Sequence, residues 1–294
     1  MNGAKSTDVA VVIPTYNRGT KVFETLRRCY SCQPAPDEVW VHVDASDGRL
    51  EADIAQEFPD VRILSSKEQL GPGGGRDRCL RACTSEFAAS FDDDSYPVDP
   101  DFFKNAASAF AAHPDAAVLE SQTWHPHEQE IARTLGQVQT LNFTGCGHVM
   151  RVSAYRAIPG YLSERVAYGV EEVDLALQFY AAGWTIYRCG DLRVFHNTTL
   201  EHRLETGIIA GTISNVALFA YVNYPFLLWP VGIFQLLSML VFCLRSGRAH
   251  GILAGLSQIP SKCYKHRRNR RPLPMRTVLR FLGGRRSGAM VFQQ

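Results

Sequence analysis

The stretch that most constrains this chain is Glu86–Pro97, EFAASFDDDSYP. Phe87 to Phe91 is a short apolar run with the length and composition of a buried strand. It stops at three consecutive carboxylates, Asp92, Asp93 and Asp94, ahead of a Ser–Tyr–Pro turn. In open α/β sheets, ligands collect where strands end. Adjacent carboxylates repel unless a cation sits among them. A small cluster of hard oxygen ligands suits Mg2+ or Mn2+, which keep positions for water and a phosphate. A polar loop after a strand has the same composition, so the stretch alone leaves both readings open.

Upstream, strand-like and helical patterns alternate. Val9 to Ile13 is a β-branched run ended by Pro14, and Thr15–Gly19 reads as a loop. A helix follows, with Val22 or Phe23, Leu26 and Tyr30 on one face, and ends at Pro34 and Pro36. Val39 to Val43 is a second strand, closing on the acidic turn Asp44–Gly48, and Val61 to Leu64 is a third. Leu70–Asp77, LGPGGGRD, reads as a turn opening a helix through Leu80 and Cys83. It lacks the Lys-Ser/Thr of a P-loop and the spacing of a dinucleotide fingerprint. Its glycines would let backbone approach a ligand at a helix N-terminus. This alternation predicts a mostly parallel sheet, with polar strand ends gathered at one edge in a nucleotide-sized crevice. Downstream, Phe102 to Ala111 reads as a helix, Ala116 to Glu120 as a strand, and Trp124-His125-Pro126-His127 as a mobile loop.

The 294 residues suffice for one large domain with an appendage. A net charge of +2 gives no polyelectrolyte character that would argue for nucleic acid. Of the eight cysteines, Cys29/Cys32 and Cys79/Cys83 fall in helical segments, and no second CxxC completes a zinc site. Buried thiols in a reducing compartment are expected. Met1 to Asp8 is short and polar, without an apolar core of signal-peptide length.

Seven pieces, in order, carry a resemblance: Val12–Arg18 (VIPTYNR), Val43–Gly48 (VDASDG), Leu70–Arg76 (LGPGGGR), Phe91–Asp94 (FDDD), Thr144–Arg151 (TGCGHVMR), Tyr168–Leu175 (YGVEEVDL) and Val194–His196 (VFH). Together they resemble the family-2 glycosyltransferases, nucleotide-sugar-dependent enzymes of the GT-A fold, over about Val9 to Asn197. The resemblance implies an α/β, Rossmann-like fold: a mixed, mostly parallel sheet flanked by helices. It implies that Pro14, Thr15, Tyr16, Arg18 and Asp44 hold the nucleotide base and ribose, and that Arg76, Asp92 and Asp93 are donor contacts. Asp92 would lie near the ribose, and Asp94, with Asp92 and His196, would hold Mn2+ or Mg2+. Glu171-Glu172 aligns with a Glu-Asp motif whose second acid resembles the catalytic base. Glu172 is therefore the base candidate, with Glu171 beside it. Asp174 and Trp124 are acceptor-side candidates. The implied reaction is a single displacement with inversion, in which a metal neutralises the diphosphate leaving group and a carboxylate deprotonates an acceptor hydroxyl.

From Thr206 to Leu244 there is no charged residue, and Phe226–Leu244 has about the length of a membrane span, interrupted by Pro225 and Pro230. Arg245, Arg248 and the basic run Lys262–Arg271 follow. Nucleotide sugars are cytosolic, and basic segments also favour the cytosolic side. Interfacial or re-entrant helices satisfy both, with the basic run meeting anionic headgroups; a true span and a buried oligomer interface are the alternatives. The expected organisation is a polar tail (1–8), a catalytic domain (9–205, with a donor half 9–97 and an acceptor half 98–205), an apolar helical membrane-associating segment (206–260) and a basic tail (261–294). The partners expected are a nucleotide-diphosphate sugar, a lipid-linked or membrane-proximal glycan of cell-envelope polysaccharide, and an anionic membrane surface at its cytoplasmic face. Two other readings stand beside this one: a non-catalytic nucleotide-sugar-binding scaffold, and a sugar nucleotidyltransferase, against which the Glu171-Glu172 pair weighs.

Overall fold

Four β-branched or small-residue runs, at Val9–Thr15 (β1), Glu38–Val43 (β2), Arg62–Ser65 (β3) and Phe87–Ser90 (β4), form the parallel half of one sheet, in the order β3-β2-β1-β4. The structure, a computed structural model, describes residues 7–165, 170–199 and 204–289. Positions 1–6 of the expected tail, Tyr168 and Gly169 of the YGVEEVDL piece, and 290–294 lie outside the described residues. The sheet continues as β8-β6-β9-β5, with β7 paired to β9; the strands are Ser95–Pro97 (β5), Ala116–Trp124 (β6), Gln137–Thr140 (β7), Val149–Arg151 (β8) and Thr185–His196 (β9).

Strand β8 is antiparallel to both β4 and β6, and β6 is parallel to β9. The two reversals cancel, so β4 and β9 point the same way. Their C-terminal residues, Ser90 ahead of Asp92 and His196, therefore reach the same sheet edge. The sheet is mixed and mostly parallel, flanked by helices, as the sequence led us to expect.

The helices of this part are Lys21–Tyr30 (α1), Arg49–Glu57 (α2), Gly71–Ala82 (α3), Phe102–Ala112 (α4) and Val152–Arg156 (α5). A continuous apolar core joins Val9, Val11 and Ile13 of β1 to Val22 and Leu26 of α1, Val41 of β2 and Phe102, Phe103 and Phe110 of α4.

Several local expectations are corrected. Strand β1 does not end at Pro14 but continues to Thr15. Its pairing with β4 stops at Val12, so the proline meets a partner strand on one side only and its missing N–H costs no ladder bond. Ser95–Pro97, expected as a turn, is a short strand on β9. Trp124 ends β6 rather than starting a mobile loop. Helix α2, whose only fully buried apolar residue is Ile54, was not anticipated.

The largest correction concerns the glycine run. It is not a loop leading into a helix but the first turns of α3 itself. A Cβ at Gly74 would lie 2.7 Å from the Leu70 Cβ and 2.9 Å from the Ser163 Oγ. One at Gly75 would lie 2.9 Å from the His42 Nδ1 and 3.0 Å from the Pro14 Cβ. Gly75 lets α3 lie directly on β1 and β2, and Gly74 leaves room for Leu70 and Ser163, a gain in packing that overrides their poor helix propensity.

The chain divides into two compact units. The first holds residues 7–165 and 178–199. The second holds residues 170–177 and those from 204 onward. The helix Glu171–Ala181 (α6) is divided between them. The second unit further contains Thr206–Asn223 (α7), Trp229–Arg245 (α8), Ile252–Lys265 (α9) and Met275–Ala289 (α10). Small residues set its packing. A Cβ at Gly251, just before α9, would strike Ile209 of α7, one at Gly255 of α9 would strike Ile213, and one at Gly232 of α8 would strike Ala220. Pro230 does not interrupt α8; it sits in the helix's first turn, where its absent N–H is tolerated.

The two apolar helices differ. In α7, 61% of the span-length window is buried, whereas in the stretch Phe226–Arg245 only 17% is. Phe226, Leu227, Ile233, Phe234, Leu237 and Leu244 are all exposed. Both helices are long and apolar enough to cross a membrane, which is compatible with a membrane-associating appendage.

Candidate functional site

Three carboxylates in a row at a strand end need counter-charge, and the first unit supplies it from four directions. Arg76, on α3 and 2% exposed, donates through NH2 to Asp92 and through Nε to Ser90 Oγ (2.8 Å). Arg18, from the loop after β1, donates to an Asp94 oxygen and lies 3.8 Å from Asp93. Lys21 Nζ, at the start of α1, is 3.9 Å from Asp94. His196, at the end of β9, places Nε2 at 3.1 Å from Asp94 Oδ1 and 3.7 Å from Asp92 Oδ2.

The three acids answer differently. Burial pushes Asp93 up to about 6, against the nearby Arg18 and a 2.8 Å hydrogen bond from the Thr15 hydroxyl. Burial acts the same way on Asp94, but the hydrogen bond from His196 and the charge of Arg18 outweigh it and hold the carboxyl below its usual range. Burial would lower His196, yet its hydrogen bond to Asp94 and its contact with Cys146 push it up to about 10.

The structure brings together Thr15, Arg18, Arg76, Asp92, Asp93, Asp94 and His196. Pro14 lies at the close approach of α3, beside Gly75, and Tyr16 is 46% exposed. Asp44 is at the same edge but is otherwise occupied. It is 4% exposed, and its carboxylate accepts from the Leu70 N–H (2.8 Å), the Gly71 N–H (2.8 Å) and the Ser66 hydroxyl (2.9 Å). It thus caps the start of α3. Trp124 is buried, packed edge-on to Phe195 with Arg193 over its ring. Its neighbour His125 is the residue that approaches His196, with ring centroids 5.2 Å apart.

Sequence reasoning passed over Cys146. Its Sγ lies 3.4 Å from His196 Nδ1, and Asp92, Cys146 and His196 offer ligand atoms all within 4.8 Å of one another. The only signal in the sequence was its place in TGCGHVMR. Lys21 was also missed, being one basic residue among many.

In the second unit, Glu171, Glu172 and Asp174 occupy the first turn of α6, where carboxylates favour the helix dipole. Asp174, an acceptor-side candidate, is tied up instead. Asn223 Nδ2 donates to Oδ1 at 2.6 Å and Arg271 NH2 to Oδ2 at 2.7 Å. Arg271 is itself anchored by its backbone N–H to the Val222 carbonyl.

Comparison with solved structures gives the fold. S. aureus TarS is 17% identical (TM-score 0.51), covering 71% of this chain and 39% of its own. The mannosyltransferase PcManGT from Pyrobaculum calidifontis, in complex with GDP-Man and Mn2+, is 16% identical (TM-score 0.58), covering 87% of this chain and 89% of its own. GalNAc-T7, with UDP, GalNAc and Mn2+, is 10% identical (TM-score 0.58), covering 74% of this chain and 48% of its own. The chain thus spans less than half the length of TarS and GalNAc-T7. No curated protein matches it. The model of glycosyl transferase family 2 matches residues 10–158, half of the chain, from β1 through the three aspartates to α5. On that match, the chain belongs to glycosyl transferase family 2, and its fold is GT-A.

Proposed function

We propose that this enzyme moves a sugar from a nucleotide-diphosphate sugar to a hydroxyl of a lipid-linked or membrane-proximal glycan, with metal assistance and inversion at the anomeric carbon. The observation that carries the reading is the convergence of Asp92, Asp94 and His196, from two strand ends, with Arg76 and Arg18. The donor set suits a divalent ion: the His196 imidazole lies 3.1 Å from an Asp94 oxygen and 3.7 Å from an Asp92 oxygen. Asp92, Asp94 and His196 would hold Mn2+ or Mg2+, which supplies charge neutralisation to a departing diphosphate. Arg76 and Arg18, now paired with carboxylates, have the fork geometry for phosphate oxygens. Thr15, Pro14 and Tyr16 border the place a nucleotide would take. Glu172, with Glu171 as the alternative, takes the acceptor proton, a step typically worth about 10²–10⁴-fold.

The exposed apolar face of Phe226–Arg245 and the basic residues after it support monotopic attachment to an anionic cytoplasmic membrane face in cell-envelope polysaccharide synthesis. On this reading the exposed apolar stretch belongs to a membrane-associating segment (206–260) between a catalytic domain (9–205) and a basic tail (261–294). Recovery of the full-length protein in the soluble fraction, without detergent or high salt, would overturn the attachment.

The deciding experiment is calorimetric titration of a nucleotide-sugar panel with and without Mn2+ or Mg2+. One donor is expected to bind in a metal-dependent way, and Asp94→Asn to weaken that binding by about 10–100-fold. Folded protein that binds no donor under any condition would end the proposal.

A further inference from the structure

We propose that Arg271 and Asp174 are positioning residues for the acceptor base: their ion pair, completed by Asn223, fixes the first turn of α6, which carries Glu172. This rests on the reading of Glu172 as the base and deepens it, because it names what holds that carboxylate in place.

The inference starts at the end of α7. The last carbonyls of a helix have no partners within it, and here the segment Arg270–Leu273 supplies them. The Arg271 N–H donates to the Val222 carbonyl (2.8 Å) and the Leu273 N–H to the Asn223 carbonyl (2.9 Å). The Arg270 guanidinium donates to the Tyr221 and Tyr224 carbonyls. It also lies over the rings of Tyr221 and Trp229, 5.2 and 5.5 Å from their centroids. Cations are favoured at this negative end of the helix dipole. The basic run therefore changes character at its end. Lys265, Arg267 and Arg268 are exposed, whereas Arg270 and Arg271 are half-buried against the protein.

With its backbone docked, Arg271 reaches α6 from a fixed origin. Its NH2 donates to Asp174 Oδ2 at 2.7 Å, and the buried Asn223 donates through Nδ2 to Oδ1 at 2.6 Å. That amide is itself oriented by the Phe219 carbonyl (3.1 Å). Both carboxylate oxygens are thus held by groups gathered at one end of α7. Asp174 in turn closes a turn of α6, its N–H donating to the Val170 carbonyl (2.8 Å). Glu172 lies inside that turn.

A helix start is where a helix frays most readily, because its first N–H groups lack intrahelical acceptors. The buried pair opposes that fraying two residues after the base. Placement matters there: a shift of about 1 Å in a reacting group can cost about 100-fold in rate.

The test is hydrogen–deuterium exchange of the full-length protein, read at residues 171–177, beside turnover. Arg271→Ala is expected to speed exchange there by about tenfold or more, while Arg268→Ala leaves it as in wild type. Turnover is followed as nucleoside diphosphate released from the donor that the nucleotide-sugar panel selects, with water as acceptor. In Arg271→Ala kcat should fall by about 10–100-fold, with KM for the donor unchanged. Arg271→Lys keeps one cationic donor for Asp174 and should recover most of both losses, a rescue that comes with no change in KM. Wild-type exchange in folded Arg271→Ala would overturn the brace. Faster exchange with wild-type kcat would overturn the positioning role. Wild-type kcat in Glu172→Gln would instead end the base reading, whatever the exchange shows. If Arg271→Ala loses its fold by circular dichroism, Asp174→Asn, which keeps an acceptor for Asn223, decides by the same two readings.

Discussion

The chain carries two groups of three acids, and their surroundings are opposite. Asp92, Asp93 and Asp94 follow a buried strand and draw cations from four separate elements: α3, the loop after β1, α1 and β9. Those partners are long, ionic and exchangeable, so a ligand can take them over. Glu171, Glu172 and Asp174 open a helix, and there Asp174 is committed to Asn223 and Arg271 of its own unit. The first group keeps its charges available for chemistry. In the second, one acid is used for architecture. Adjacent acids are therefore poor guides to function until their partners are known.

The comparison is broken most directly at Glu172. Glu172→Gln is expected to lower kcat by about 10²–10⁴-fold while nucleotide-sugar affinity, measured by calorimetry, stays near wild type. Transfer at the wild-type rate would move the base role to Glu171.

Next in size is Arg271→Ala, which leaves the Asp174 carboxylate without one of its buried partners. A loss of about 3 kcal/mol is expected, read as a lower denaturant midpoint. Arg268→Ala, on an exposed side chain of the same basic run, should stay within about 0.5 kcal/mol. Equal midpoints for the two variants would show that the Asp174 pair holds nothing.

The smallest effect sharpens the first group. The carboxyl of Asp93 is raised in the folded protein to about 6, above its value in the unfolded chain. The folded state then binds more protons between about pH 4 and 6, so stability falls as pH rises through that range and the ionised carboxylate remains costly above it. Asp93→Asn should therefore stabilise the metal-free protein by about 1–3 kcal/mol at pH 8, with the advantage gone near pH 4. A thermal melting series across pH reads it. An advantage that grows on acidification would contradict the burial argument.

What could be read from the sequence follows the range of the forces involved. Runs such as Val9–Ile13 and Val39–Val43 declare buried parallel strands because both faces are covered. The acidic stop at Asp92 marks the sheet edge for the same reason: nothing charged can continue inward. The glycine run misled, since low helix propensity is a local property and the contacts of Gly74 with Ser163 and of Gly75 with His42 are not. Helix α2 was missed because it buries little. Cys146 was invisible as a neighbour of His196 because the two are 50 positions apart (196 minus 146). A lone thiol in a loop gives no spacing to read.

The cap that Asp44 places on α3 has a further effect. Arg76 sits on the same helix, a little over one turn after the backbone amides that Asp44 holds, and its grip on Asp92 depends on where that helix begins. Residue 44 works as a gauge block: it sets how far α3 extends toward the sheet edge, and with it the reach of the guanidinium. Removing its charge would shift the helix start and loosen Arg76, imitating the loss of a donor contact at a position whose carboxylate is already filled by the protein's own amides. Activity lost at residue 44 would then measure alignment, and the matching defect would be found in the Arg76–Asp92 pair.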